Sequence, residues 1–455
     1  MGVRKFNKKA FLKLLKNRQF DELRTTIALT DPADLADIFE ELDSENVEQA
    51  FAILDNETAS EVIVEMETGD VEDVVEHLPP ARLAGMLREM APDDAADFFN
   101  ELDQDDQDEI LPYLNNNERE KLKELTEYEE DTAGGLMTPE LCAVASSATV
   151  EQAINAMTKA EFSDPITMVF VVDNQHHLVG SIHISDLIAK PCKEKISDVA
   201  DKDVISAHVD DSSQDIALDF RKYDLYVMPV VDYDDKLVGR ITADDVMDVM
   251  DEEAADDIAK LAGAPDIETK ENSPTAIVRL RLPWLMITMF AGTLVSLIVQ
   301  RIVNINGAEN LAAFVPVILA MGGNTGMQAS AVTIRSIALG EIELDRLMTV
   351  FGRELMVGAL MGITCGILAG LIVWLNLSVF GNATASTPML RLMIIVGISM
   401  FIAMTFAAFT GTILPIVLNQ FKIDPAVATG PFVTTGNDLS ASLIYLGMCS
   451  TLLNL

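Results

Sequence analysis

The chain is short of basic residues, cysteine and histidine, and each shortage removes a class of function. Against 72 Asp and Glu it carries only 32 Lys and Arg, for a formal net charge of −40. A soluble surface of that sign repels nucleic acid and attracts cations. The four cysteines, Cys142, Cys192, Cys365 and Cys449, are scattered with no CxxC spacing. That excludes a disulfide framework and fits a reducing compartment. Two of the five histidines, His176 and His177, share a predicted turn with no third ligand nearby, which reads as a solvated turn. No Ser/His/Asp set, phosphate-binding glycine loop or zinc motif occurs, so an enzyme is not expected. The opening stretch Arg4–Lys16 lacks the apolar core of a signal peptide and reads as a basic amphipathic helix.

Long apolar runs are also missing, but only from the first three-fifths of the chain. From Ala276 onward there are seven acidic and eight basic residues, so the whole net negative charge precedes that point. A strongly acidic soluble portion is therefore joined to a near-neutral membrane portion.

The soluble portion begins as short helices in series. Asp31–Asp43 (DPADLADIFEELD) returns as Ala91–Asp103 (APDDAADFFNELD), with eight of thirteen positions identical. Pro and Asp open each copy, where helix starts favour them. Leu35, Ile38, Phe39 and Leu42 recur at helical spacing, and Val47–Leu54, Val71–Leu78 and Arg82–Met90 read as further helices. The pattern predicts a small α-solenoid with a solvated acidic face.

Near Thr132 the period changes. Phe170-Val-Val-Asp, Leu178-Val-Gly-Ser-Ile and Asp186 return as Pro229-Val-Val-Asp, Leu237-Val-Gly-Arg-Ile and Asp245. A hairpin followed by a helix, duplicated within one chain, resembles the tandem CBS domain. That resemblance implies a regulatory α/β module whose cleft often takes an adenine nucleotide. Leu225 stands where related chains can carry an aromatic stacking residue, which weakens the case for ATP.

Val246–Ala262 is a predicted helix that crowds Asp244, Asp245, Asp248, Asp251, Glu252, Glu253, Asp256 and Asp257 into or beside four turns. Like charges one turn apart destabilise a helix, so the segment calls for bound cations or a basic partner. Gly263–Pro274 reads as a linker.

Five apolar spans follow, at about 282–304, 311–334, 355–377, 392–418 and 426–452, each long enough for ~30 Å of hydrocarbon. Arg279 and Arg281, then Arg335, Arg346 and Arg353, then Lys422 fall on one side, against Arg301 and Arg391 on the other. The positive-inside rule places the acidic portion in the cytoplasm and the C-terminus outside. In the second span, Met321–Gln328 puts Asn324, Thr325 and Gln328 among glycines; close helix packing and a pore-lining role both account for it.

The last span, Pro425–Leu446, carries Asp438 near its middle, with Gly430-Pro431, Thr434-Thr435 and Gly436-Asn437 around it. A lone carboxylate at membrane depth costs roughly 2.5–3.5 kcal/mol and normally faces a cavity, an ion path or a partner. Gly and Pro release backbone carbonyls, tolerated only where the backbone is buried or lines water. Carboxylate, carbonyls and hydroxyls together suit a hard, hydrated cation. A hydrogen-bonded Asp438 inside a helix contact is the alternative.

In order, these parts resemble a bacterial MgtE-type magnesium channel, on the GGNTG and VTTGND segments and the sequence of domains. The resemblance implies a multidomain membrane protein: an all-α helical-repeat cytosolic domain (1–130), an α/β tandem CBS domain (131–245, halves 131–195 and 196–245), a connecting or plug helix with its linker (246–275), and a five-helix transmembrane domain (276–455). It implies a homodimer in the plasma (inner) membrane, conducting Mg²⁺ along its two-fold axis and closed by cytosolic Mg²⁺. Asp438 matches the pore carboxylate, with the carbonyl of Thr434 beside it and Asn324, Gln328 and Asn437 as pore-lining candidates. Asp245, Asp248, Glu253, Asp256, Asp257 and Asp424 resemble regulatory Mg²⁺ ligands, and Asp97 is a further candidate. Gly430 departs from the family, which often has Asn there. Other readings are another CBS-regulated transporter, of a different divalent cation or an anion, and a membrane-anchored Mg²⁺ sensor.

Overall fold

The computed structural model describes residues 8–17, 19–40, 42, 44–66, 71, 74–75, 77–160, 162, 165–261, 274–304, 311–338, 344–380, 388–421 and 423–453. The linker expected at Gly263–Pro274 lies almost wholly outside them, as does part of the helix expected at Val71–Leu78. The chain forms two units, Met1–Asp251 and Glu252–Leu455.

Among the described residues, the first unit opens with nine short helices: α1 (Lys8–Lys16), α2 (Phe20–Ile27), α3 (Pro32–Phe39), α4 (Ser44–Phe51), α5 (Asn56–Val64), α6 (Pro80–Leu87), α7 (Pro92–Glu101), α8 (Gln104–Ile110) and α9 (Asn116–Thr126). Their boundaries follow from capping chemistry. Asp31, Asp55, Asp103 and Asn115 each accept hydrogen bonds from backbone N–H groups of the turn they precede, and Asn115 with Glu118 completes a capping box. Such caps contribute about 0.5–2 kcal/mol each. Both copies of the sequence repeat start with proline at the first helical position, α3 at Pro32 and α7 at Pro92. In α3 the buried stripe is Leu35, Ile38 and Phe39. Phe39 packs against Phe11 and Phe51, with ring centroids 5.7 and 5.3 Å apart.

After α10 (Ala133–Leu136) the unit becomes two matching α/β halves. The first holds β1 (Cys142–Ala145), α11 (Val150–Met157), β2 (Met168–Val172), β3 (Leu178–His183), α12 (Ile184–Ala189) and α13 (Ile196–Val199). The second holds β4 (Ala207–His208), α14 (Ser213–Tyr223), β5 (Val227–Val231) and β6 (Leu237–Thr242), followed by α15 (Ala243–Leu261). Each half is a three-stranded sheet with one parallel and one antiparallel pairing. The duplication reaches the fine geometry: the register slips between Val171 and Val172 and again between Val230 and Val231. His176 and Asp235, at equivalent places in the two hairpin turns, both take positive φ, 72° and 59°, a conformation short polar residues tolerate better than most. His177 pairs with Asp173 at 2.9 Å across its own turn.

The second unit contains α16 (Pro274–Val303), α17 (Val315–Ala338), α18 (Leu344–Phe380), α19 (Met389–Gln420), α20 (Pro425–Ala428), a π-helical turn (Thr429–Val433) and α21 (Thr434–Leu453). Among the described residues, three helices are long and apolar enough to cross a membrane, within α16, α18 and α19. The remaining two long helices, α17 and α21, are the ones that hold Asn324, Thr325 and Gln328, and Asn437 and Asp438. Small residues set the packing. Gly366 and Gly397 meet backbone to backbone between α18 and α19, where an added methyl would lie 2.5 Å from the Gly397 oxygen. Glycine there lets the helices approach closely and gain dispersion contacts.

Candidate functional site

The last apolar segment does not run as one α-helix. Asp424 caps its start, with Oδ1 accepting from the Ala426 N–H at 2.8 Å. Four residues later the backbone widens into the π turn Thr429–Val433, and regular α-helix resumes only at Thr434. Gly430-Pro431 explains the break, because proline supplies no N–H to the helical ladder. π turns concentrate at functional sites because they re-aim the residues that follow. The ring of Phe432 in this turn is braced edge-on by Trp284 of α16, at 6.0 Å between centroids.

Asp438 stands one turn beyond Thr434 on the same face of α21. Its half-buried carboxylate lies over Gly323 of α17: a methyl group on Gly323 would sit 3.6 Å from Asp438 Oδ1 and 3.9 Å from the Thr434 methyl. Among the described residues, no side chain hydrogen-bonds to or ion-pairs with the Asp438 carboxylate; the Ser442 hydroxyl donates to its backbone carbonyl instead. The helix contact that could have satisfied Asp438 is thus taken by its neighbours. Gly322 faces Ala441, Gly326 faces Asn437 and Val433, and Tyr445 donates to the Leu311 carbonyl at 2.8 Å. These contacts clamp α21 to α17 and the turn before it, and among the described residues they leave the carboxylate oxygens unclaimed.

The other polar residues of these two helices separate. Asn437 is 2% exposed, and its Oδ1 accepts from the Thr410 hydroxyl of α19 at 2.7 Å, fixed where Gly326 and Gly411 leave room. Among the described residues, its Nδ2 and the hydroxyl of Thr435 are buried without a hydrogen-bond partner. Asn324 and Gln328 are exposed and line a cavity of about 390 Å³ together with Thr364, Cys365 and Met404, to which α21 contributes nothing. Within Met321–Gln328, the glycines do the close packing and the carboxamides face away from it.

The acidic residues form three groups. Asp97, although in contact with solvent, is crowded by protein and surrounded by Asp93, Glu130, Glu101 and Asp245; desolvation first and these charges next push its carboxyl up to about 7. Asp245 is also committed locally, its Oδ2 accepting from the N–H and hydroxyl of Thr242 where α15 begins. Asp248 is raised by burial and then by Asp244 and Asp251, and it in turn helps to raise Glu65, the residue that ends α5. In the second unit, Asp256 and Asp424 converge on the ammonium of Lys260. Glu253 is half-buried, and the side chain of Asp257 lies outside the described residues. Local spacing does not single out Lys260, and its one sequence signal is that it is the only basic residue of α15.

Residues 315–448 match the family described as MgtE, divalent cation transporter. Residues 30–131 match the MgtE intracellular N domain, and 133–191 and 196–252 match CBS domains. The chain is 37% identical over 337 residues to the magnesium transporter MgtE of Enterococcus faecalis, covering 74% of this chain and 72% of that protein. It is 35% identical over 345 residues to the magnesium transporter MgtE of Thermus thermophilus, covering 75% and 74%. The solved cytosolic domain of the Mg²⁺ channel MgtE in complex with ATP superposes with a TM-score of 0.50 at 30% identity, over 53% of this chain and 100% of that one. With the N domain, the CBS pair and the transporter domain all matched in order, and relatives at 35–37% identity covered over 72–74% of their length, the chain belongs to the MgtE family of divalent cation transporters.

Proposed function

We propose that this protein conducts Mg²⁺ across the bacterial plasma membrane and is closed by Mg²⁺ on the cytosolic side. The observation that carries this reading is the Asp438 carboxylate, half-buried over Gly323, claimed by no donor among the described residues, and one helical turn past the π turn. Mg²⁺ sheds water reluctantly and is best held through its hydration shell by few carboxylates. An acidic ring at a constriction selects cations over anions, which disfavours an anion channel. Five helices, α16 to α19 and the α20–α21 segment, cross the membrane, with the acidic unit cytoplasmic and the C-terminus outside. Five spans with the ion site on the last one fit a homodimer in which two Asp438 side chains meet at the axis, with the Thr434 carbonyls beside them and Asn437 behind as a packing support. Asn324 and Gln328 line a neighbouring lateral cavity.

Closure follows from charge. Within each group the bare carboxylates repel, Asp97 with Asp245, Asp248 with Asp244 and Asp251, and Glu253 with Asp257, while Lys260 holds Asp256 and Asp424. Mg²⁺ bridging them favours the compact arrangement, and several weak sites acting together give a steep response. The CBS pair takes an adenine nucleotide: the similar cytosolic domain was solved with ATP, and beside Leu225, which packs into the core, Tyr226 is 72% exposed and offers a ring for stacking. No enzymatic step is required of any residue. The test is Mg²⁺ uptake into liposomes holding the purified protein, with internal Mg²⁺ varied. Uptake that falls as internal Mg²⁺ rises supports the reading; a silent protein supports a membrane-anchored sensor instead.

A further inference from the structure

One ammonium group fastens the end of α15 to the start of the last apolar segment. Lys260 Nζ pairs with Asp256 one turn earlier and lies 2.7 Å from Asp424 Oδ2. Its side chain is 17% exposed, against 35% and 37% for the two carboxylates, so it is the innermost member of the triad. Asp424 is engaged on both sides. Oδ1 caps Ala426 while Oδ2 receives Lys260, so a displacement of Asp424 passes into the segment that leads through the π turn to Thr434 and Asp438. Burial works against the ammonium, but its hydrogen bonds to Asp256 and Asp424 outweigh that and hold it charged.

We propose that Lys260 is a built-in cation at the mouth of the ion path, occupying the Asp256–Asp424 pair in competition with a divalent cation. This rests on the reading of the protein as a Mg²⁺-regulated Mg²⁺ channel. Two carboxylates that both reach one ammonium also reach one hydrated dication, the ligand that a pair of close carboxylates prefers. The dication must first displace a tethered charge-assisted partner. Lys260 thereby sets the Mg²⁺ level at which α15 exchanges its tether for a metal bridge, and it keeps the carboxylates from repelling each other when Mg²⁺ is scarce.

Carbodiimide joins paired ammonium and carboxylate groups as amides, and mass spectrometry of the full-length protein in lipid nanodiscs reads the Lys260–Asp424 link directly. The link should form in chelator and fall severalfold in millimolar Mg²⁺, but hold in KCl of equal ionic strength. Absence of the link in chelator, equal loss in both salts, or no loss in Mg²⁺ would overturn the proposal. In liposomes, Lys260→Gln should lower the internal Mg²⁺ that half-closes the path by about tenfold, the size of effect expected for charge-assisted hydrogen bonds, while Lys260→Arg keeps the wild-type level. An unchanged or raised level in the Gln variant contradicts competition. A wild-type protein that passes no Mg²⁺ would sink the transport reading, yet the response of the cross-link to Mg²⁺ would still decide whether Lys260 and a dication compete.

Discussion

Asp438 Oδ1 lies over Gly323 at the distance of an ordinary methyl contact, 3.6 Å from where a Cβ would stand. The glycine is therefore not needed to avoid a clash, and what it leaves open is space beside a carboxylate. Gly323→Ala should fold with a wild-type melting temperature and still lose most Mg²⁺ uptake, because a methyl group there displaces water from the cation's shell. Three residues on, an added methyl at Gly326 would clash with the Asn437 amide nitrogen. Gly326→Ala should destabilise the bundle by about 1–3 kcal/mol, the usual cost of overpacking. Thermal unfolding and liposome uptake, measured on both variants, separate the two effects.

Asn437 tests whether a polar residue beside the ion site is structural. Among the described residues, its side chain has one hydrogen bond, from Thr410, and its amide nitrogen is buried without a partner. Thr410→Val removes that bond and leaves a wholly unsatisfied carboxamide between α19 and α21, a loss of about 1–3 kcal/mol. The melting temperature should fall, while the preference for Mg²⁺ over monovalent cations, read as a flux ratio, should not move.

Asp97 gives the soluble unit a pH dependence of definite sign. Its carboxyl is raised from 3.8 to about 7 in the folded protein, so the folded state holds a proton that the unfolded state has released. The stability linked to that proton is fully present below about pH 3.8 and is lost as pH rises through about 7. In chelator, the melting temperature should therefore rise as the buffer is taken from about pH 8 to about pH 6, and Asp97→Asn should flatten that rise. Added Mg²⁺ should stabilise the wild type more at the higher pH, where the carboxylate is bare.

The sequence made some of this legible and hid the rest for physical reasons. Asp438 stood out because charge is expensive at membrane depth, and Gly430-Pro431 announced the broken helix now seen as the π turn. The duplicated hairpins were plain in Val-Val-Asp and Leu-Val-Gly, and the structure extends the duplication to a shared register slip and to His176 and Asp235. The direction of the Asn437 side chain was not legible. It depends on the room left jointly by Gly326 and Gly411, which lie on two other helices. Nor was the pairing of Lys260 with Asp424, since the partners are far apart in the chain and nothing in local spacing links a lysine to one carboxylate among so many.

The central claim is that the carboxylate of Asp438 holds the transported ion. Asp438→Asn keeps the shape of the side chain and removes its charge, so the most direct measurement is Mg²⁺ uptake by that variant in liposomes at low internal Mg²⁺. Size exclusion and thermal unfolding of the same sample serve as the folding control. Uptake at the protein-free background from a variant that assembles and melts like the wild type is the predicted result; near-wild-type Mg²⁺ uptake would contradict the account.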